Sequence, residues 1–140
     1  MPESKSECII ERRNSIYSVK RIKIITEKVQ MEGELNNTET ARKIYDILPI
    51  EAKVRTWGEE IYFPIPVDMD LENGVEVVNV GTLGYWPEGR CFCIFFGKTP
   101  TSTEKEIRPA SAVTVVGNLL GEAKEWKKVK DGEKIRIEKA

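Results

Sequence analysis

The residues best suited to chemistry lie in one short run, where Arg55, Trp57, Glu59, Glu60 and Tyr62 follow each other closely. Glu59 and Glu60 invite comparison with an acid/base pair, but neighbours on a strand point to opposite faces, so the two carboxylates do not address one bond. Arg55 and Trp57 are in phase on an extended chain. That sets a guanidinium beside an aromatic ring, which suits a ligand contact and equally an ordinary surface charge. Tyr62, Tyr85 and Trp86 flank turns and polar residues, where a fully buried ring is less expected; they either contact something or cap the ends of a small β-domain. The chain has no histidine, so no serine or cysteine has an imidazole to activate it, and nucleophilic catalysis is set aside. Gly81, Gly84 and Gly89 match neither GxGxxG nor the P-loop pattern. Asp68, Asp70 and Glu72 resemble the start of a calcium loop, yet Gly74 comes one residue late and Asn79 stands where the bidentate Glu belongs. A solvated acidic turn is the preferred reading. Cys91 and Cys93 read as small buried hydrophobes, because a bridge two residues apart on one strand is strained and a Cys-x-Cys pair without histidine does not complete a zinc site. No metal and no cofactor are expected.

These side chains need a scaffold, and its strongest signal is the stretch 81–102, GTLGYWPEGRCFCIFFGKTPTS. Residues 91–96 are apolar throughout, so Cys91, Cys93 and Phe95 share one face, Phe92, Ile94 and Phe96 the other, and both must be covered. The β-branched segment 75–80 is expected to lead in as a strand. Trp86-Pro87-Glu88-Gly89 supplies the turn, Pro by its fixed φ and Gly by tolerating positive φ. Upstream, 19–26 and 29–35 read as two half-exposed antiparallel strands. Asn36-Asn37-Thr38 then offers an N-cap, with Glu39 three residues after Asn36 as in a capping box. The helix that follows carries an apolar stripe of Ala41, Ile44, Tyr45 and Leu48, and Pro49 stops it. Segments 51–56 and 59–65 are two more strands joined through Trp57-Gly58, with Ile61, Phe63 and Ile65 opposite Glu60 and Tyr62. Residues 68–74 and 104–111 are loops, 112–119 a buried strand, 122–128 a short helix and 134–138 a last strand. About eight strands with one or two short helices predict a mostly β protein, a closed barrel without free edges. Residues 1–15 read as a polar, mobile leader and 16–140 as a single domain.

Composition narrows the partners. A net charge of −1 conceals 22 basic and 23 acidic residues mixed along the chain, so no field of one sign is available for nucleic acid or an anionic membrane. Neither partner is expected. No run approaches the roughly 20 apolar residues that span a bilayer, and the N-terminal stretch lacks the apolar core of a signal peptide. With three cysteines and no plausible bridge, a cytoplasmic location is expected. Abundant Lys, Glu and Ile beside a single glutamine, Gln30, lean towards a thermophilic source.

Taken together, LNNTETARKIYDILP, VRTWGEEIYFPIP, VGTLGYWPEGRCFCIFFGKTPTS and AVTVVGNL resemble, in that order, the small stand-alone cyclophilin-like proteins of archaea and thermophilic bacteria. The resemblance runs from about Val19 to the C-terminus. It implies an eight-stranded closed barrel capped by helices, with a groove on its outer surface. In true cyclophilins such a groove catalyses prolyl cis/trans isomerisation, which needs neither nucleophile nor cofactor but an apolar pocket and an Arg that hydrogen-bonds the prolyl nitrogen. Arg55 is the position the resemblance offers for that Arg, and so for a catalytic role. After it, where cyclophilins carry Phe, Met and Gln, this chain has Trp57-Gly58-Glu59-Glu60; near the VVG strand, where they carry a Trp and a His, it has Pro109, Ala110 and Val113. The reading is a binding module for a peptide or small ligand, with Arg55, Trp57, Glu60, Tyr62, Tyr85 and Phe95 lining the groove. The alternative is a peptidyl-prolyl isomerase. A further alternative is an assembly partner that buries Trp57 and the YWP turn against another subunit.

Overall fold

The computed structural model describes residues 19–140; the polar leader expected at 1–15 lies outside them. Alternating apolar and polar residues form the first hairpin. β1 (Lys20–Ile25) buries Ile22 and Ile24 and runs antiparallel to β2 (Gln30–Leu35). Between them the Thr26 hydroxyl donates to the Val29 carbonyl at 3.1 Å and accepts from the Val29 N–H at 2.9 Å.

Helix α1 (Glu39–Asp46) follows. Its N-cap is Thr38, the last of the three candidates at 36–38 and not the Asn36 that a capping box with Glu39 needs: the Thr38 hydroxyl accepts from the Ala41 N–H at 3.1 Å. Asn36 is occupied otherwise, its carbonyl oxygen accepting from the Thr38 N–H at 3.1 Å and its amide donating to the Val115 carbonyl at 2.8 Å. The first free amides of the helix, those of Glu39 and Thr40, donate to the Glu72 carboxylate at 3.0 Å each. An acid from the loop at 68–74 thus completes a distant helix end. Ala41 and Ile44 bury the helix against the sheet.

The segment expected as one strand at 51–56 is two. β3 (Ile50–Lys53) pairs with the last strand, β9 (Lys134–Lys139), whereas β4 (Arg55–Thr56) pairs with β5 (Glu60–Pro64). Val54 separates them by turning its backbone elsewhere, donating to the Glu133 carbonyl at 2.8 Å and accepting from the Gly132 N–H at 2.7 Å. The remaining strands are β6 (Thr82–Trp86), β7 (Cys91–Phe95), β8 (Thr114–Leu119) and β9 (Lys134–Lys139), with a 3-10 helix, Ala123–Lys128, before the last. The sheet order is β3-β9-β1-β2-β8-β6-β7-β5-β4. Its two ends, β3 and β4, are consecutive in the chain, so the nine-stranded sheet curls into a nearly closed barrel with its seam at Val54. The ninth strand, against about eight expected, comes from that break.

Two local expectations also change. Residues 75–80 do not form a strand: Val75 and Val78 make single bridges to Val113 and Ile107, and a tight turn at 79–82, with Thr82 N–H on the Asn79 carbonyl at 3.1 Å, separates them from β6. In the β6–β7 turn the positive φ falls on Arg90 (53°), not on Gly89. Glycine is needed at 89 for space, since a Cβ there would lie 2.6 Å from the Trp86 ring.

Inside the barrel, Ile61 and Phe63 of β5, Leu83 and Tyr85 of β6, and Phe92 and Ile94 of β7 pack with Ile22, Ile24, Leu35 and Ile137. The Phe63 and Phe92 rings stack with centroids 5.6 Å apart. No helix among the described residues is long and apolar enough to cross a membrane.

Candidate functional site

Strands that bury one face inside a barrel present the other outward, and here the outward face of β5, β7 and β6 is also covered. Register places Arg55 opposite Tyr62, Tyr62 opposite Cys93, and Cys93 opposite Gly84, in one row across β4, β5, β7 and β6. Glu60 lies opposite Phe95. On this face Cys91, Cys93 and Phe95 join Val78 and Val113 in a second apolar cluster, against which Tyr62, Val75, Trp86 and Ile107 pack. The covering segments, 75–78 and 107–113, are tied on by the Val75–Val113 and Val78–Ile107 bridges.

Between these layers lies a cavity of about 200 Å³. Trp57, Tyr62 and Trp86 wall it, Pro109, Ala110 and Val113 close one side, and Glu60 is its one acidic lining residue. Trp57 is set by the tight turn into β5, where its N–H donates to the Glu60 carbonyl at 2.9 Å and Gly58 takes φ 61°. A Cβ at 58 would also lie 2.9 Å from the Lys98 carbonyl. Trp86 is held by its indole N–H, which donates to the Ser111 hydroxyl at 2.7 Å, and that hydroxyl donates to Glu88 at 2.9 Å. The covering loop is braced in turn by the Thr101 hydroxyl on the Arg108 carbonyl and the Arg108 N–H on Ser102 Oγ, both at 3.0 Å.

The electrostatics centre on Glu60, which is 6% exposed. Burial pushes its carboxyl up to about 7, against the opposing effect of a hydrogen bond with the Cys93 thiol. The thiols move the same way. Burial, and then the nearby Glu60 charge, hold Cys93 well above the usual thiol range and raise Cys91, with Arg55 partly offsetting the rise at Cys91. Both cysteines are free and buried, so they serve as protonated packing groups, as their spacing implied. No group of three or more His, Cys, Asp or Glu able to hold a metal occurs among the described residues. The arrangement offers three aromatic rings and one carboxyl that changes charge near neutral pH.

Of the residues named from the sequence, Trp57, Glu60 and Tyr62 meet at this cavity. Arg55 shares their face at its β4 edge; its side chain is exposed and makes no ion pair or hydrogen bond with another described residue. Phe95 is fully buried in the cluster beneath, supporting the site without lining it. Tyr85 belongs elsewhere. Opposite Phe92 it points into the barrel, 0% exposed, its hydroxyl donating to the Val67 carbonyl at 2.6 Å and accepting from the Met69 N–H at 3.2 Å. The groove residue on β6 is its neighbour Trp86, and alternation from the inward Phe92 would have identified it. Pro109, Ala110 and Val113 carry no periodic signal; the resemblance alone marked them, as the residues standing where cyclophilins have Trp and His.

Comparison with known proteins agrees with this architecture. The chain matches the cyclophilin-like family over residues 20–138, from the start of β1 into β9. It is similar to the solution structure of a hypothetical protein from Archaeoglobus fulgidus, with 41% identity and a TM-score of 0.75 over 87% of this chain and 95% of that one. No curated protein sequence matches it. On the family match, on the likeness to the archaeal structure and on its own barrel, this chain belongs to the cyclophilin-like family.

Proposed function

We propose that the protein is a binding module that takes a peptide or small molecule in the cavity between Trp57, Tyr62 and Trp86. One observation carries this reading: three aromatic side chains and a nearly buried carboxyl converge on an open recess outside the barrel core. Its volume of about 200 Å³ is below the ~300–1,000 Å³ of pockets for drug-sized ligands. It therefore suits one side chain or one headgroup, with the rest of the ligand outside. A cytoplasmic, reducing setting accords with the free thiols of Cys91 and Cys93.

Tryptophan fluorescence tests the reading, because Trp57 and Trp86 line the cavity while Trp126 is buried in the barrel. Ligands found by screening should perturb the emission of the wild type, and Trp57→Ala and Tyr62→Ala should each weaken binding at least tenfold. Unchanged affinity in both variants would move the site elsewhere.

A second reading, prolyl isomerisation, is favoured by Arg55, whose exposed side chain lies on the face that holds Tyr62 and makes no ion pair with another described residue. An Arg so placed is free to donate to a prolyl nitrogen whose ring occupies the apolar cavity, weakening amide conjugation as the bond twists. Exchange NMR on Xaa-Pro peptides decides it: acceleration by the wild type that is lost in Arg55→Ala supports turnover, and its absence at catalytic protein concentrations leaves binding alone.

A further inference from the structure

The cavity has an acid with no base. Glu60 is the one charged residue that lines it, and its hydrogen-bond partner is a neutral thiol, that of Cys93. The groups around it are accounted for element by element. On β7 the Cys91 and Cys93 thiols stay protonated and Phe95 is apolar; on its own strand its neighbour on this face is the Tyr62 ring. On β4 Arg55 is exposed to solvent at the edge. On the covering segment Arg108 is committed to Glu106 at 2.8 Å, and at the β6 turn Glu88 accepts from Ser111. The adjacent Glu59 is engaged by Lys127 at 3.3 Å.

An anionic ligand would be repelled by this floor, and a neutral one would bury the carboxyl further without a partner. A cation relieves both problems. It supplies the missing counter-charge, and aromatic rings attract it through their quadrupoles, most strongly where water is excluded. Resting on the binding-module reading above, we infer that the ligand presents an alkylammonium group, held among Trp57, Tyr62 and Trp86 with its charge on the Glu60 carboxylate. The cavity size fits such a headgroup better than an extended peptide.

Choline and 3,3-dimethyl-1-butanol make the test, since they share a shape and differ in charge, and the charge of choline does not titrate. Each is titrated into the full chain, with a capped trimethyl-lysine peptide in parallel to tell a free ammonium from a side-chain one. Tryptophan emission and amide NMR shifts at 57–62, 86 and 113 are read. At pH 8 a cationic probe should bind at least tenfold more tightly than the alcohol. With the Glu60 carboxyl near 7, the ionised fraction falls by about thirtyfold between pH 8 and 5.5, and choline affinity should fall with it. Glu60→Gln, an isosteric change checked for folding by circular dichroism, should remove the pH dependence and cut the charge preference at least fivefold, to what the three rings alone supply, while the alcohol still binds.

Equal binding of choline and the alcohol at pH 8, or a charge preference and pH dependence that are both unchanged in Glu60→Gln, would overturn the cation assignment and leave the pocket standing. If neither of these, nor the trimethyl-lysine peptide, nor any Xaa-Pro peptide shifts the cavity residues, the pocket reading itself fails.

Discussion

The two faces of strands β5 and β7 are built from the same backbone and do different work. The inner face carries Ile61, Phe63, Phe92 and Ile94, all apolar and all fully buried. Tyr85, the phenol among them, has its hydroxyl satisfied by Val67 and Met69. The outer face carries Glu60, Tyr62, Cys91 and Cys93, and keeps a cavity open beside them. A core selected for stability alone would not bury a carboxyl without a cation, because desolvation then opposes ionisation. Glu72 makes the contrast within one residue type. Burial works to raise its carboxyl too, but the bonds from the Thr40 and Glu39 amides and the Thr40 hydroxyl outweigh it and the net shift is downward. One acid is satisfied by hydrogen bonds within the fold; the other is left with a carboxyl that burial holds near neutral pH.

The sharpest way to separate the faces is to remove a ring from each. Phe63→Ala takes away the stacking partner of Phe92 and leaves a void in the barrel, which should cost about 3–5 kcal/mol in urea unfolding. Trp57→Ala, on a half-exposed turn, should cost less than about 1 kcal/mol while weakening binding in the proposed cavity at least tenfold. Similar losses for the two would make the outer cluster part of the structural core, and the contrast would break.

Next in size is Glu60→Gln. The folded-state pKa is raised from 4.5 to about 7, so the folded protein holds a proton that the unfolded chain has released. The stability from that proton is fully present below about pH 4.5 and is lost as pH rises through 7, a loss on the order of 3 kcal/mol. Glutamine does not titrate. The variant should therefore gain on the wild type by about that amount between pH 4 and pH 8, measured as the difference between paired urea melts at each pH. A constant difference across the range would mean that Glu60 is solvated and not strained.

How much of this was legible in the sequence follows the same division. The inner face could be read in detail, because period-two alternation and an all-apolar β7 are local signals; Phe92, Ile94, Ile61 and Phe63 fall where that pattern puts them. Glu60 and Tyr62 were legible for the same reason, lying on the opposite phase of β5, whereas Trp57 stood out only as an aromatic residue at a turn. Tyr85 was misplaced because an aromatic beside a turn was taken for a groove residue, whereas its register opposite Phe92 turns it inward. The break at Val54 was invisible, since the backbone groups that cause it, on Gly132 and Glu133, are far away in sequence. Likewise the cap at Thr38 is completed by Glu72, a partner that no local capping pattern can include.

Smaller effects test that last point. Glu72→Ala removes the acceptor for two helix-end amides and should cost about 1 kcal/mol at pH 7. Because the Glu72 pKa is lowered, its contribution is present above about pH 4.5 and lost as pH falls through the folded value. Glu72→Ala should thus recover towards the wild type as pH falls, whereas Glu60→Gln loses its advantage over the wild type as pH falls, so the two variants' signed pH trends are opposite. Parallel trends would remove the distinction drawn between the two acids.

Arg55→Ala should have the smallest effect on the fold, within about 0.5 kcal/mol, because the side chain is exposed and pairs with no described residue. Its value lies in what else changes. If the cavity binds a cation, removing a like charge from its edge should leave affinity unchanged or raise it slightly, by less than about threefold, and more at low salt. If the cavity instead holds a prolyl ring, the same substitution should abolish exchange catalysis with the fold intact. One variant, assayed with choline and with an Xaa-Pro peptide, therefore asks whether Arg55 is a bystander at an acidic site or the donor of an apolar one.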